Sequence, residues 1–255
     1  MRPALLLGLM LALALPARAQ TDLDRTRFLR WAYQDAGAMV QSIDGRTPLY
    51  ALGAVAVLAP LSTLDAGIDR PAWSRDGAFG AYLDVTNTFG GPKMNLPVAG
   101  LFAASLLTDD ARFQDAAFTS LQSMVYAGAM SYGLKYSVGR FRPQDGAEPH
   151  RFRPFSGSTS FPSGHTTTAF AVLTPWVLYY PHPVTYGLYG AAVTGTALSR
   201  IARDKHWATD VLAGGSLGFM TAYYLTRRHQ DETSRLRVTP VLSYDAVALS
   251  LTVRF

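Results

Sequence analysis

At 255 residues, with about half of them apolar, the chain is long enough for one large domain with a real core. It has no cysteine, which excludes disulfides and a lipid-modified N-terminal cysteine. The formal charge of +5 carries no basic tract interleaved with aromatics, so it suits an anionic substrate better than nucleic acid.

The chain opens with Arg2, an apolar run Ala4–Leu15, Pro16 and the small-residue site Ala17-Arg18-Ala19. This order predicts a signal peptide over 1–19, with the mature chain starting near Gln20. The apolar run is shorter than the roughly 20 residues that span a bilayer. The expected location is therefore the periplasm, with secretion across the inner membrane. The alternative keeps the segment as an anchor, in an inner-membrane protein whose site faces the periplasm. A helical domain is expected over 20–230, and a C-terminal extension over 231–255.

Residues 22–44 set Phe28, Leu29, Trp31 and Tyr33 among charges, an amphipathic helix lying on the domain body. Six apolar stretches follow, near 50–64, 96–107, 117–135, 165–180, 184–200 and 208–226; their Ala, Leu and Met content predicts helices. Breakers stand at 65–71, Gly90-Gly91-Pro92, Asp109-Asp110 and 180–183. The fold class is all-α, a bundle of about six core helices, plus a short β-hairpin. The long segment 144–161 is either functional or a solvated connection. At the end, Val247, Leu249, Leu251, Val253 and Phe255 alternate with polar or small residues, a half-buried strand. A two-residue turn at Asp245-Ala246 would pair Tyr244 with Val247 and Leu242 with Leu249, although Asp-Ala suits such a turn poorly. The hairpin is expected to pack on the helices or on another chain, which would make a homo-oligomer.

Three clusters carry the chemistry: KYSVGRFRP from Lys135 to Pro143, PSGH at Pro162–His165, and SRIARDKHWATD from Ser199 to Asp210. If consecutive helices run antiparallel, all three fall on one end of the bundle, a usual place for a ligand. Ser163 and Gly164 stand at a helix start, where free N–H groups and the positive dipole end favour an anion. Arg142 and Arg200 offer planar forks to phosphate oxygens, and Lys135 adds a point charge. His206 and Asp210, four apart on a helix, share a face. The carboxylate can accept one ring N–H and leave the other nitrogen free to attack phosphorus. His165 can protonate the leaving alcohol. Nearby cations and the helix start keep His165 neutral, so its acid role needs a bound phosphate dianion to restore the proton.

The ordered pattern K-x6-RP, PSGH, SR-x5-H-x3-D resembles the type-2 phosphatidic acid phosphatase and vanadium haloperoxidase superfamily, over about residues 50–226. The resemblance implies a helical bundle in which His206 forms a phosphohistidine, Asp210 supports it and His165 is the general acid. Lys135, Arg142, Ser163, Gly164 and Arg200 would bind phosphate. The terminal hairpin lies outside that pattern. His150, His182 and His229 read as structural. Arg140, Arg151, Arg153, Arg203 and Lys205 read individually as solvated charges, and Phe161 and Trp207 as packing residues.

The expected activity is hydrolysis of phosphate monoesters, lipid phosphates or pyrophosphates through a phosphohistidine, with no cofactor and no metal. The alternatives are a vanadium-dependent haloperoxidase and a non-catalytic envelope protein that binds anions. The partner is a phosphorylated small molecule or lipid, with no nucleic acid. A cleaved signal followed by six spans would place the site in the cytoplasm, against the outward-facing site of membrane-spanning relatives. The apolar stretches are also shorter than a span needs. A periplasmic domain resting on a membrane surface reconciles both.

Overall fold

The computed structural model describes residues 24–42, 44–68, 77–233, 236–242 and 247–253. The proposed signal segment and the hairpin turn lie outside the described residues. Eight α-helices are present among the described residues: α1 (Arg27–Gln41), α2 (Thr47–Leu61), α3 (Gly77–Asn87), α4 (Asn95–Ser105), α5 (Ala111–Val138), α6 (Gly164–Tyr179), α7 (Pro183–Ala202) and α8 (Ala208–Thr233).

Two of the predicted breakers are helix starts. Asp110 caps α5 by accepting the Phe113 N–H at 3.0 Å. At the head of α7 the His182 ring accepts the Val184 N–H at 3.2 Å, and Pro183 occupies the first turn, where no N–H is needed. Among the described residues, no helix is long and apolar enough to cross a membrane.

Helix α6 is the centre, packed by α5, α7 and α8. It is apolar on every side, and most of it is buried, as such a helix must be. Val172 and Leu173 join Phe89, Val98 and Val193 in the main core, and Trp176 packs against Ala116 and Ala117 of α5. α1 closes one flank. Its Trp31 stacks on His229 at 3.9 Å, and its buried Asp35 accepts from Arg228 and Gln122 and lies 2.8 Å from His229 Nε2.

Three expectations change. Helix α3 covers 77–87, where the sequence offers no long apolar stretch. The stretch near 50–64 is not core: no described residue of α2 is buried, and Leu49, Tyr50, Leu52, Val55 and Val57 are exposed. The hairpin β1 (Leu236–Leu242) and β2 (Val247–Val253) is antiparallel, but Leu242 pairs with Val247 and Pro240 with Leu249. The register is moved by two from the expected one. An even shift leaves the apolar residues of one strand opposite those of the other.

The close approach of α8 to α6 rests on glycine. A Cβ on Gly214 would lie 2.4 Å from the Ser163 carbonyl oxygen, and one on Gly218 would lie 2.2 Å from that of Thr167. Gly218→Ala should therefore push the helices apart and lower stability by about 1–3 kcal/mol, read from urea unfolding. An unchanged midpoint would contradict this packing.

Candidate active site

Four helix ends meet on one side of the bundle. Lys135 lies in the last turn of α5, Gly164 and His165 start α6, Ser199 and Arg200 close α7, and His206 and Asp210 flank the start of α8. The Ser163 N–H donates to the Asp210 carbonyl at 2.9 Å and so ties the start of α6 to α8. The long connection after α5 is held down by backbone bonds, including Arg153 N–H to the Gly139 carbonyl at 2.9 Å and Ser160 N–H to the Arg140 carbonyl at 3.0 Å. Its end, at Thr159 and Ser160, is a wall of the site, while residues 150–157 are exposed.

His206 is buried, and its Nδ1 lies 2.8 Å from the Ser160 carbonyl oxygen. A carbonyl only accepts, so Nδ1 carries the proton and Nε2 of the neutral ring is free. The sequence reading assigns that proton to Asp210. The nearer carboxylate oxygen instead stands 3.7 Å from Nδ1, because His206 precedes the first turn of α8 and the pair lacks the helical i,i+4 geometry. Asp210 Oδ2 accepts from Ser160 Oγ at 2.5 Å and from the Trp207 N–H at 2.9 Å, and Oδ1 accepts from Arg140 Nη1 at 2.7 Å. Burial alone would raise the Asp210 pKa, but the His206 ring, the Arg140 charge and the Ser160 hydroxyl outweigh it and hold the carboxyl below its usual value.

Cations face this pair. Lys135 Nζ donates to the Thr159 carbonyl at 2.8 Å and to the Pro162 carbonyl, and its stem lies against Gly164. Arg142 Nη2 donates to Thr159 Oγ1 at 3.1 Å. Arg200 Nη1 donates to Asn87 Oδ1 at 3.1 Å, and the same oxygen accepts from Ser199 Oγ at 3.0 Å. The Arg200 Nε is buried with no hydrogen-bond partner. Among the described residues, no carboxylate forms an ion pair with Lys135, Arg142 or Arg200. Burial, with the Arg142 charge behind it, pulls Lys135 down to about 8 and Arg200 to about 10. Burial and the same cations pull His165 to about 3, so its ring is neutral in the empty site. Burial also takes His206 to about 4, against the pull of Asp210. Such a set of cations without carboxylate partners suits a multiply charged oxyanion.

Ser163 differs from expectation. Its amide is spent on Asp210 and its buried hydroxyl lies 3.0 Å from Thr166 Oγ1, so it joins helices, while the first-turn amides of Gly164 and His165 remain for an anion. The structure also adds residues. Arg140, read as a solvated charge, is 2% exposed and paired with Asp65 at 2.8 Å and Asp210 at 2.7 Å. Gly90, read as a breaker, packs so tightly on the start of α6 that a Cβ would fall 2.1 Å from the His165 carbonyl oxygen. Asn87 and Ser160 carry no pattern of their own in the sequence; only the serine run ahead of PSGH hinted at the second.

The helices thus bring two histidines, the buried Arg200 and the half-buried Lys135 and Arg142 to one bundle end. Residues 116–234 match the model of the PAP2 superfamily. It is similar to the lipid A 1-phosphatase of Porphyromonas gingivalis, 40% identical over 99 residues, which are 38% of this chain and 20% of that protein. It is also similar to the lipid A 1-phosphatase of Rhizobium johnstonii, 32% identical over 102 residues, 38% of this chain and 41% of the relative. The chain thus spans less than half the length of these curated relatives. The fold resembles the crystal structure of a transmembrane PAP2-type phosphatidylglycerolphosphate phosphatase from Bacillus subtilis, with a TM-score of 0.51 at 19% identity, covering 92% of this chain and 99% of that one.

The lowered histidines have a consequence for stability. Below the unfolded-state histidine value of about 6.5 the unfolded chain takes up protons, which the empty folded site refuses until about 4 at His206 and about 3 at His165. Stability should therefore fall as pH drops from 7 to 4. Added inorganic phosphate should raise Tm at every pH and reduce the acid loss, because its charge offsets the cations. A Tm unmoved by phosphate in scanning calorimetry would count against an anion site.

Proposed function

We propose that the chain is a phosphatase that hydrolyses phosphate esters in two steps, with an amphiphilic alcohol as the preferred leaving group. The observation that carries this is the buried Arg200 with the half-buried Lys135 and Arg142, unpaired by carboxylates among the described residues, around the neutral His165 and His206. His206 Nε2 attacks phosphorus while the bond to the leaving oxygen breaks, and His165, protonated once the phosphate dianion is bound, gives its proton to that oxygen. Water then attacks the phosphohistidine. His165 takes the water proton, the P–N bond breaks, and phosphate leaves with His206 neutral again. The cations and the first-turn amides of α6 stabilise the charge on the transferring group. This reading needs neither cofactor nor metal.

A cleft of about 560 Å³ supports the choice of leaving group. It starts at Lys135 and Gly164 and follows one face of α5 past Ser131 and Gly128 to Met124. At a rise of 1.5 Å per residue, Lys135 to Met124 is about 16 Å. The buried Ser131 hydroxyl in its lining has no partner, so a polar group is welcome near the phosphate end and an apolar chain farther out. The names of the curated relatives point the same way. The predicted export segment supports a periplasmic site, and the exposed apolar α2 supports contact with a lipid surface.

His206→Ala should abolish phosphate release while leaving the unfolding transition intact, and labelled substrate trapped at alkaline pH should mark His206. Turnover should survive EDTA and be inhibited by vanadate. Full activity in His206→Ala would sink the covalent mechanism.

Gly128→Leu separates the lipid reading from the phosphatase reading. A Cβ on Gly128 meets nothing within 4 Å, so the leucine enters the cleft without disturbing the helix neighbours. It should lower kcat/KM on a lipid phosphate roughly tenfold or more and leave p-nitrophenyl phosphate within about twofold. Equal losses on both would remove the cleft from the reading.

A further inference from the structure

We infer that Asp65 is a positioning residue for the His206–Asp210 pair, acting through Arg140. Asp65 lies in the 3-10 turn Ser62–Ala66 that follows α2, outside the three motifs and outside the region 116–234 that matches the family. It is 1% exposed. Its Oδ2 accepts from Arg140 Nη2 at 2.8 Å and from Thr209 Oγ1 at 2.5 Å, and its Oδ1 accepts the Thr209 N–H at 3.1 Å. Thr209 Oγ1, having given its proton to Asp65, accepts from Arg140 Nη1 at 2.7 Å.

The guanidinium is thus held on each edge. Nη2 goes to Asp65, Nη1 to Asp210 and Thr209, and Nε to the Pro149 carbonyl at 2.9 Å. The Phe152 and Trp207 rings lie 5.5 Å from its centre. This matters because an arginine fork left to itself takes a carboxylate by both oxygens. Asp65 prevents that. It occupies Nη2 and leaves a single N–H for Asp210, whose Oδ2 is then free to accept from Ser160 Oγ and the Trp207 N–H. Ser160 in turn supplies the carbonyl that takes the His206 Nδ1 proton. The order is Asp65, Arg140, Asp210, Ser160, His206.

Without the Asp65 charge the fork is free to close on both oxygens of Asp210 and draw Oδ2 from Ser160. The carbonyl that orients His206 then loses its anchor. Lys135, Arg142 and Arg200 make no bond to Asp65, so phosphate binding is spared. The inference rests on the two-step phosphatase reading. Asp65 also buries charge, and a purely structural role would reduce the fraction of folded sites without slowing each one.

The test is Asp65→Asn in the full chain, with phosphate-binding sites counted by calorimetry using inorganic phosphate. The expected result is an unchanged number of sites, a phosphate Kd within about twofold, and kcat per site on p-nitrophenyl phosphate lower by roughly 10–100-fold, the scale of a small misplacement of the reacting group. Thr209→Val keeps both charges and removes only the linking hydroxyl. It should lower kcat per site several-fold with Kd unchanged, and it decides alone should Asp65→Asn not fold. Wild-type kcat per site in whichever variants fold overturns the inference. A wild-type protein that releases no phosphate overturns the phosphatase reading instead.

Discussion

A carboxylate with no exposure at the start of α8 imposes the strictest demand in this protein. Asp210 is charged at neutral pH, and a buried charge is tolerated only when its oxygens are met by donors. Two of the donors come from distant parts of the chain, Ser160 from the wall after α5 and Arg140 from just past the end of that helix, and the third, Trp207, from the turn before α8. The Asp210 carbonyl meanwhile holds the Ser163 amide. Satisfying one residue therefore fixes the ends of α5, α6 and α8 relative to one another. The Gly214 and Gly218 contacts allow the backbones of α6 and α8 to come close enough for these bonds to form.

The same end of the bundle contains a second electrostatic region with the opposite arrangement. Around Asp210, positive and negative charges are matched inside the protein: Asp65, Arg140 and Asp210 form a continuous buried chain. Around His165 they are not matched. Lys135, Arg142 and Arg200 are pushed together with carbonyls and an asparagine for company, and their burial lowers the affinity of Lys135 and Arg200 for their own protons. A folded protein tolerates that repulsion when a ligand supplies the missing charge. One region is stiff because it is internally satisfied, and the other is reactive because it is not.

The sequence showed the reactive half and concealed the stiff half. Lys135, Arg142, Gly164, His165, Arg200 and His206 stand in short ordered patterns, and antiparallel helices of the lengths read from the apolar stretches bring them to one end. Asp65 and Asn87 carry no such pattern, because a support residue needs only the right side chain at the right place in space. Arg140 was visible as a charge two residues before Arg142, but nothing local distinguishes a buried arginine from a solvated one. The i,i+4 spacing of His206 and Asp210 suggested a direct hydrogen bond. The start of α8 at Ala208 removed the helical geometry on which that suggestion depended.

By itself the sequence determined the all-α class, seven of the eight described helices and the end at which the motif residues gather. These follow from periodicity and from chemistry carried by single side chains. Only the tertiary structure decided which group holds the His206 proton, which arginine is buried, and that α2 lies outside the core. Those outcomes depend on desolvation and on donors meeting acceptors across dozens of intervening residues. A linear pattern does not encode such distances.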